Sequence, residues 1–584
     1  MIMLYQLKWK LSIFVYIRNN YQTLINMLFK IIRFIRYPIY MFLLCGLIVV
    51  ITSCSSKSKE SGPPALTISQ EQVSSWVRNF NPLIPGGTSR WPTVAGIYEP
   101  LFIFNSIKGE YIPWLATGYE WRDGNFVLDI NIRENVLWSD GTPFSAQDVA
   151  FTFQIKKEYS GLDTRGIWKY IKSVEELNDH IVRFIFSRIY VPGLDAISGQ
   201  PIIPKTIWEN IEDPVKFTNP HPVGTGPFTE IIRFDHQVWE LGANPFYWQK
   251  DKPAVKRLKF PAFPTNEQAT IALINGEIDW GGNFIPAIDR VYVSKDPEHH
   301  QYWFPRTGGT IFFYTNTEKA PFNEVNVRKA VSLAINRDLI IKVAMYDYTI
   351  PAHPTALADG LASWRTKLAT EKGDWVAHDI ERANRILDEA GYSRDEDGFR
   401  RLADGNAMSF EISIVSGWSD WIRAAQVISK NLETVGIKAR VKTNDFAAWF
   451  SRVQKGEFDM TIAWTEKGPT PVPLYRGLLS SEYLKPVGEI AEANWHRFSI
   501  PEADSLCRAF ERTSNESKIR SIVTRLEELF VEYAPAIPLF AEPSWGQYNS
   551  KRFTNFPNEN NPYGQLSPNY PPENLLVMVN VIPR

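Results

Sequence analysis

One stretch constrains the fold more tightly than any other. Over 421–435 apolar residues recur at helical spacing, Gly436 stops the helix, and 437–441 continues at once as a strand. A helix handed directly to a strand is the repeating unit of an α/β architecture. Comparable signals recur along the chain. Helices are expected over 380–390 and over 325–344, the latter as one continuous amphipathic element with Val327, Ala330, Val331, Ala334 and Ile335 on its apolar face. The segments 126–132 and 180–186 alternate apolar and polar residues at period two, as half-buried strands do. Residues 138–144 read as a turn, Ser145 as a helix cap and Asp148 as the acid of the first turn. With 584 residues the chain exceeds what one core can hold, so two or three lobes are expected.

The amino terminus reads as an export address. Lys30, Arg33 and Arg36 precede an uncharged apolar run from Ile39 to Ile51, and small residues follow. That is the layout of a signal peptide, and the run is short of the roughly 18–20 residues of a spanning helix. A retained signal anchor is the alternative. Ile51-Thr52-Ser53-Cys54 resembles the lipobox of bacterial lipoproteins, with Thr and Ser in place of the commoner Ala and Gly. The resemblance implies that residues 1–53 are removed and that Cys54 is lipidated. Cys45 then leaves with the signal and only Cys507 remains, so the mature chain has no intramolecular disulfide. Cys507, amid Leu506, Ala509 and Phe510, reads as a small buried hydrophobe. Residues 54–65 form a lipidated cysteine and polar tether, and Met27 would start a signal of ordinary length.

Charge and composition narrow the partners. Residues 1–53 hold six of the 63 basic residues and no acid, leaving 57 basic against 64 acidic residues in the body. A mildly acidic body gives no electrostatic reason to bind nucleic acid. The 44% hydrophobic and 22% charged content suits a folded globular chain. Twenty Trp, 24 Tyr and 35 Phe against eight Met supply core side chains, and several Trp suit a cleft in which flat apolar faces stack on a ligand. The sequence contains no nucleophile elbow, P-loop, His-Glu-x-x-His or dinucleotide fingerprint. His299-His300 is the one close His pair and reads as a surface loop, so no metal site and no cofactor is expected.

Eight phrases then converge: 97–102, 113–116, 138–153, 224–228, 244–248, 276–279, 320–337 and 387–392. In order and spacing they resemble the dipeptide/oligopeptide-type family, family 5, of extracytoplasmic solute-binding proteins of ABC importers. The phrases are mainly structural, with Gly224 and Gly226 expected in a tight turn. The resemblance implies a two-lobed α/β periplasmic-binding-protein fold, type II and cluster C, with an extra subdomain inserted in the first lobe. Lobe I would comprise 66–95, 206–305 and 541–584, the insert 96–205 and lobe II 306–540, with hinges near Pro305-Arg306 and Phe540-Ala541. It further implies a monomeric, membrane-anchored, periplasmic or cell-surface lipoprotein that closes on a small-molecule ligand, presents it to permease subunits and catalyses nothing.

Family members bind peptides, nickel or oligosaccharides such as cellobiose and related β-glucans. Peptide binders place an Asp in lobe II, just after a Gly-Trp pattern, to hold the ligand's α-amino group. Here that stretch reads Ala463-Trp-Thr-Glu-Lys-Gly-Pro469, so Lys467 falls at the Asp position and Glu466 lies one residue off. The stretches 81–102 and 416–421 look like the sugar-binding branch. Sugar rings pack C–H faces on indole while hydroxyls need carboxylates, amides and backbone partners. The expected ligand contacts are Thr88, Trp91, Trp418, Asp420, Trp421, Phe446, Trp449, Trp464 and Glu466, with inward packing the competing reading for Trp421. Oligosaccharide capture is thus the expectation and peptide capture the alternative. A secreted glycan-active hydrolase, a different class, would need two carboxylates about 5–10 Å apart across a cleft, and a surface adhesin or sensor is a third reading.

Overall fold

In this computed structural model the described residues are 63–84 and 96–584. The expected signal, Cys54, most of the tether, Thr88 and Trp91 lie outside them.

Two large sheets organise the chain. One has seven strands, in the order His300–Tyr302, Gln547–Asn549, Trp280–Gly281, Leu66–Ser69, Arg257–Pro261, Val238–Ala243 and Phe228–Phe234. The other has five, in the order Lys438–Asn444, Ser409–Val415, Met460–Ala463, Arg306–Thr315 and Ile537–Pro543. Ser409–Val415 runs parallel to both of its neighbours, and the helices Ser419–Thr434 and Phe446–Gln454 make the crossovers. Met460–Ala463 lies inside that sheet and is buried at all four residues, as a strand covered on both faces must be. Gly436 adopts φ +80° between the first crossover helix and the strand Lys438–Asn444, a conformation that favours glycine at a helix end.

Among the described residues the chain passes between the two sheets twice, from Tyr302 to Arg306 and from Pro543 to Gln547. The strand Ile537–Pro543 runs through 540–541 without a break, with Ala541 opposite Thr310 and Pro543 opposite Arg306. A third, antiparallel sheet of four strands carries Ala116–Arg122, Val127–Ile132, Ile181–Phe186 and Ile171–Asn178. Its inner face (Leu128, Val182, Phe184) shares one apolar core with the seven-stranded sheet (Leu66, Trp239, Phe260). The core of the five-stranded half is separate, its buried members lying between Ile311 and Phe540.

Several local expectations change in detail. The helix expected over 325–344 is two helices, Val325–Ala334 and Arg337–Val343. They break at Ile335 and Asn336 because the Asn336 side chain accepts from the Leu339 amide at 2.8 Å and starts a new helix. The strand Val127–Ile132 is buried at Asp129 rather than alternating. Arg183 lies directly opposite on Ile181–Phe186 and donates to both carboxylate oxygens at 2.7 and 2.8 Å, holding the Asp129 carboxyl below its usual range. Ser145 caps the helix Ala146–Glu158 in a full capping box, with Asp148 accepting from the Ser145 amide at 3.0 Å.

The glycines at 224 and 226 are needed for a reason other than turn geometry, since neither has positive φ. A Cβ on Gly224 would lie 1.9 Å from the Ile97 carbonyl oxygen, and one on Gly226 2.2 Å from that of Gly96. Two backbones are in contact there, and only glycine admits the approach.

Candidate functional site

Between the five- and seven-stranded halves lies a cleft of about 1040 Å³, open to solvent. Its five-stranded wall starts from a strand end. Ser409–Val415 finishes, Gly417 turns at φ +87°, and Trp418 immediately precedes the helix Ser419–Thr434. Ligand-facing groups of open α/β sheets collect at such carboxyl ends. A Cβ on Gly417 would lie 2.3 Å from the Pro264 carbonyl oxygen of the other half, so the two halves touch here. The Asn266 amide donates to the Gly417 carbonyl at 3.1 Å, and the Tyr348 hydroxyl reaches the Ile285 carbonyl at 3.1 Å. These contacts join the two halves beside the cleft.

Trp418, Asp420, Trp421 and Trp464, four of the residues named from the sequence, line the cleft. Trp418 is half-buried and its Nε1 has no hydrogen-bond partner among the described residues. The ring of Trp421 meets it edge-on, centroids 4.9 Å apart. Asp420 is buried beside Asn266, whose Nδ2 is 3.4 Å from Oδ1, and burial pushes its carboxyl up to about 6.

Phe446 and Trp449, expected against ligand, stand behind this wall instead. Trp449 is fully buried and its Nε1 donates to Thr461 Oγ1 at 3.1 Å. Both belong to the helix Phe446–Gln454, which packs onto the sheet, so they support Trp418 (5.8 and 6.2 Å) from the core side.

Glu466 is also displaced. It lines a second recess of about 330 Å³ with Glu492 and Trp495, pairs with Arg476 at 3.6 Å, and its carboxyl is raised by burial. Lys467, its neighbour, lines the main cleft. The strand Met460–Ala463 has ended before these residues, so no strand alternation fixes which of the two faces the cleft.

Sequence reasoning missed several lining residues. Phe284 of the seven-stranded half and Trp545 in the crossing line the cleft, their rings 5.4 Å apart, together with Glu542, Asn569 and Tyr570. Lys467 forms an ion pair with Glu542, and the Tyr570 hydroxyl donates to the other oxygen of that carboxylate at 2.6 Å. No local motif marks these residues. The only signal was proximity to a chain crossing, since Glu542 and Trp545 flank the passage between sheets.

Residues 110–484 match the pattern of the family described as bacterial extracellular solute-binding proteins, family 5, middle. The chain belongs to that family. A family 5 solute-binding protein of this kind has the two-lobed α/β fold of periplasmic binding proteins, and it serves an ABC importer outside the cytoplasm. One similar structure is a periplasmic oligopeptide-binding protein of Thermotoga maritima with mannohexaose bound, at TM-score 0.82 and 26% identity, covering 89% of this chain and 98% of that one. The periplasmic oligopeptide-binding protein OppA of Escherichia coli is 21% identical over 82% of this chain and 88% of its own length. The nickel-binding periplasmic protein of the same organism is 24% identical over 68% of this chain and 76% of its own length. These relatives are binding proteins, not enzymes. Among the described residues of this family 5 chain, no helix is long and apolar enough to cross a membrane.

Proposed function

We propose that this solute-binding protein captures neutral, β-linked oligosaccharides of the cellobiose or β-glucan kind. One observation carries the reading: aromatic rings from both halves line the cleft, Trp418, Trp421 and Trp464 from one and Phe284 from the other, with Trp545 in the crossing between them. Sugar C–H faces stack on such rings, and hydroxyls need acceptors and donors at the edges. Asp420, Ser567 and Asn569 line the same cleft and carry groups of this kind. The relative that holds mannohexaose supports the same ligand class.

The peptide reading loses its carboxylate. Glu466, the residue that could stand in for an ammonium-binding Asp, faces the second recess, and a cation lines the cleft instead. Calorimetry with cello- and manno-oligosaccharides is expected to give saturable binding, with no heat from trialanine. Tight trialanine binding that N-acetylation abolishes would hand the function to peptides.

We further propose that the protein is held at the membrane through Cys54, which lies outside the described residues. Cys54→Ala, expressed in a bacterial host, is expected to lose metabolic labelling by fatty acid and to leave the membrane fraction. Continued acylation of that variant would sink the anchor.

A further inference from the structure

At one end of the cleft, three distant segments bring together the parts of a cation cage. Lys467 follows the strand Met460–Ala463, Glu542 sits on the crossing strand Ile537–Pro543, and Tyr570 belongs to the carboxy-terminal segment. The Glu542 carboxylate accepts from the Tyr570 hydroxyl at 2.6 Å through Oε1 and ion-pairs with the Lys467 ammonium through Oε2. The same ammonium lies 4.8 Å over the Tyr570 ring. A fixed carboxylate together with an aromatic face is what a primary ammonium needs once it leaves water.

The pair lies against the backbone at Gly309. A Cβ on Gly309 would lie 1.9 Å from Glu542 Oε2 and 2.8 Å from Lys467 Cε. Gly309 does not adopt positive φ, so a side chain added there would act by displacing the ends of Glu542 and Lys467. The Glu542 side chain is only 13% exposed and that of Lys467 32%, which leaves the carboxylate poorly hydrated without its partner.

We infer that Glu542 and Tyr570 form an ammonium-binding subsite inside the ligand cleft, that this chain fills it with its own Lys467, and that Lys467 is thereby the residue that excludes cationic ligands. A tethered ammonium competes with any free one at an effective concentration in the millimolar range, about that of a short flexible linker. An incoming amine must displace Lys467 and gains little over it. A neutral ligand passes the pair undisturbed. The inference rests on the cleft as the ligand site and not on the sugar reading, because amines report on the subsite whether or not any sugar binds.

Chemical rescue tests it. Lys467→Ala leaves Glu542 without its cation, and its thermal midpoint is expected to lie below that of the wild type. Ethylammonium chloride should then raise that midpoint saturably, by about 1–3 °C. Tetramethylammonium, which has no N–H to donate, should do no more than sodium at equal ionic strength. The wild type and the double variant Lys467→Ala/Glu542→Gln should show no ethylammonium-specific rise. No rise in Lys467→Ala, or an equal rise in the double variant, would overturn the subsite. A second measurement stands independently of how well Lys467→Ala folds. Lys467 should resist acylation by an amine-reactive ester in the wild type and become reactive in Glu542→Gln; equal reactivity in the two would also overturn it.

Discussion

Trp418→Ala is expected to weaken oligosaccharide binding roughly ten- to hundredfold, equivalent to about 1–3 kcal/mol of lost aromatic burial. The half-buried ring sits at the mouth of the helix Ser419–Thr434, lines the cleft, and carries an indole N–H with no partner among the described residues. Truncation would remove a stacking face from the cleft wall. Folding should suffer less, because water already reaches this side chain before ligand does. Trp449 is the internal control. It is fully buried, bonded to Thr461 and 6.2 Å behind Trp418, so Trp449→Ala should lower folding stability by about 3–5 kcal/mol. Calorimetry and urea melts on both variants separate the two roles. Unchanged affinity in Trp418→Ala, or a stability loss equal to that of Trp449→Ala, would count against a ligand contact.

Glu99→Ala is expected to destabilise the protein by about 3–5 kcal/mol, since it strands buried donors around a hole. Glu99 is fully buried and accepts from Trp114 Nε1 at 2.6 Å, the Tyr247 hydroxyl at 3.0 Å and Trp248 Nε1 at 3.1 Å. Burial pushes its carboxyl up to about 7 against those hydrogen bonds. The unfolded chain releases this proton near the ordinary glutamate pKa, about 4.3, whereas the folded chain keeps it to about 7. Folding therefore takes up a proton across that window, and the stability linked to Glu99 falls as pH rises through it. Urea unfolding at pH 5 and pH 8 should show a shallower pH dependence in Glu99→Gln than in the wild type. Asp420 and Glu492, raised by burial to about 6 and about 7, keep part of the slope in both. An unchanged slope would show that Glu99 is ionised in the folded protein at all of these pH values.

The same residue explains why the phrases that mark the family were legible without revealing the ligand. Glu99, Trp114 and the Tyr247-Trp248 pair come from three separate phrases and meet at one buried carboxylate. Gly224 and Gly226, from a fourth, press on the backbone at 96–97. Arg337, closing a fifth, is buried and donates to the carbonyls of Pro538 and Val376 at 2.7 and 2.6 Å. These residues assemble the scaffold. The cleft takes its character from Trp545, Glu542 and Tyr570, which lie outside those phrases.

The sequence by itself determined the elements that depend on near neighbours. Ser145 and Asp148 close a capping box three residues apart, Gly436 ends a helix, and 180–186 keeps its period of two; each signal needs only local hydrogen bonds or one buried face. It failed where a local bond competed with a periodic pattern, as at Asn336, because both halves of 325–344 bury the same apolar stripe while the Asn side chain recaps the chain. Only the tertiary structure decided which of Glu466 and Lys467 faces the cleft, and that Phe446 and Trp449 back its wall while Trp545 faces it. Those outcomes depend on how strand ends and chain crossings from residues hundreds apart are rotated against each other. That rotation is set by packing of two separate cores, and no spacing within a single segment encodes it.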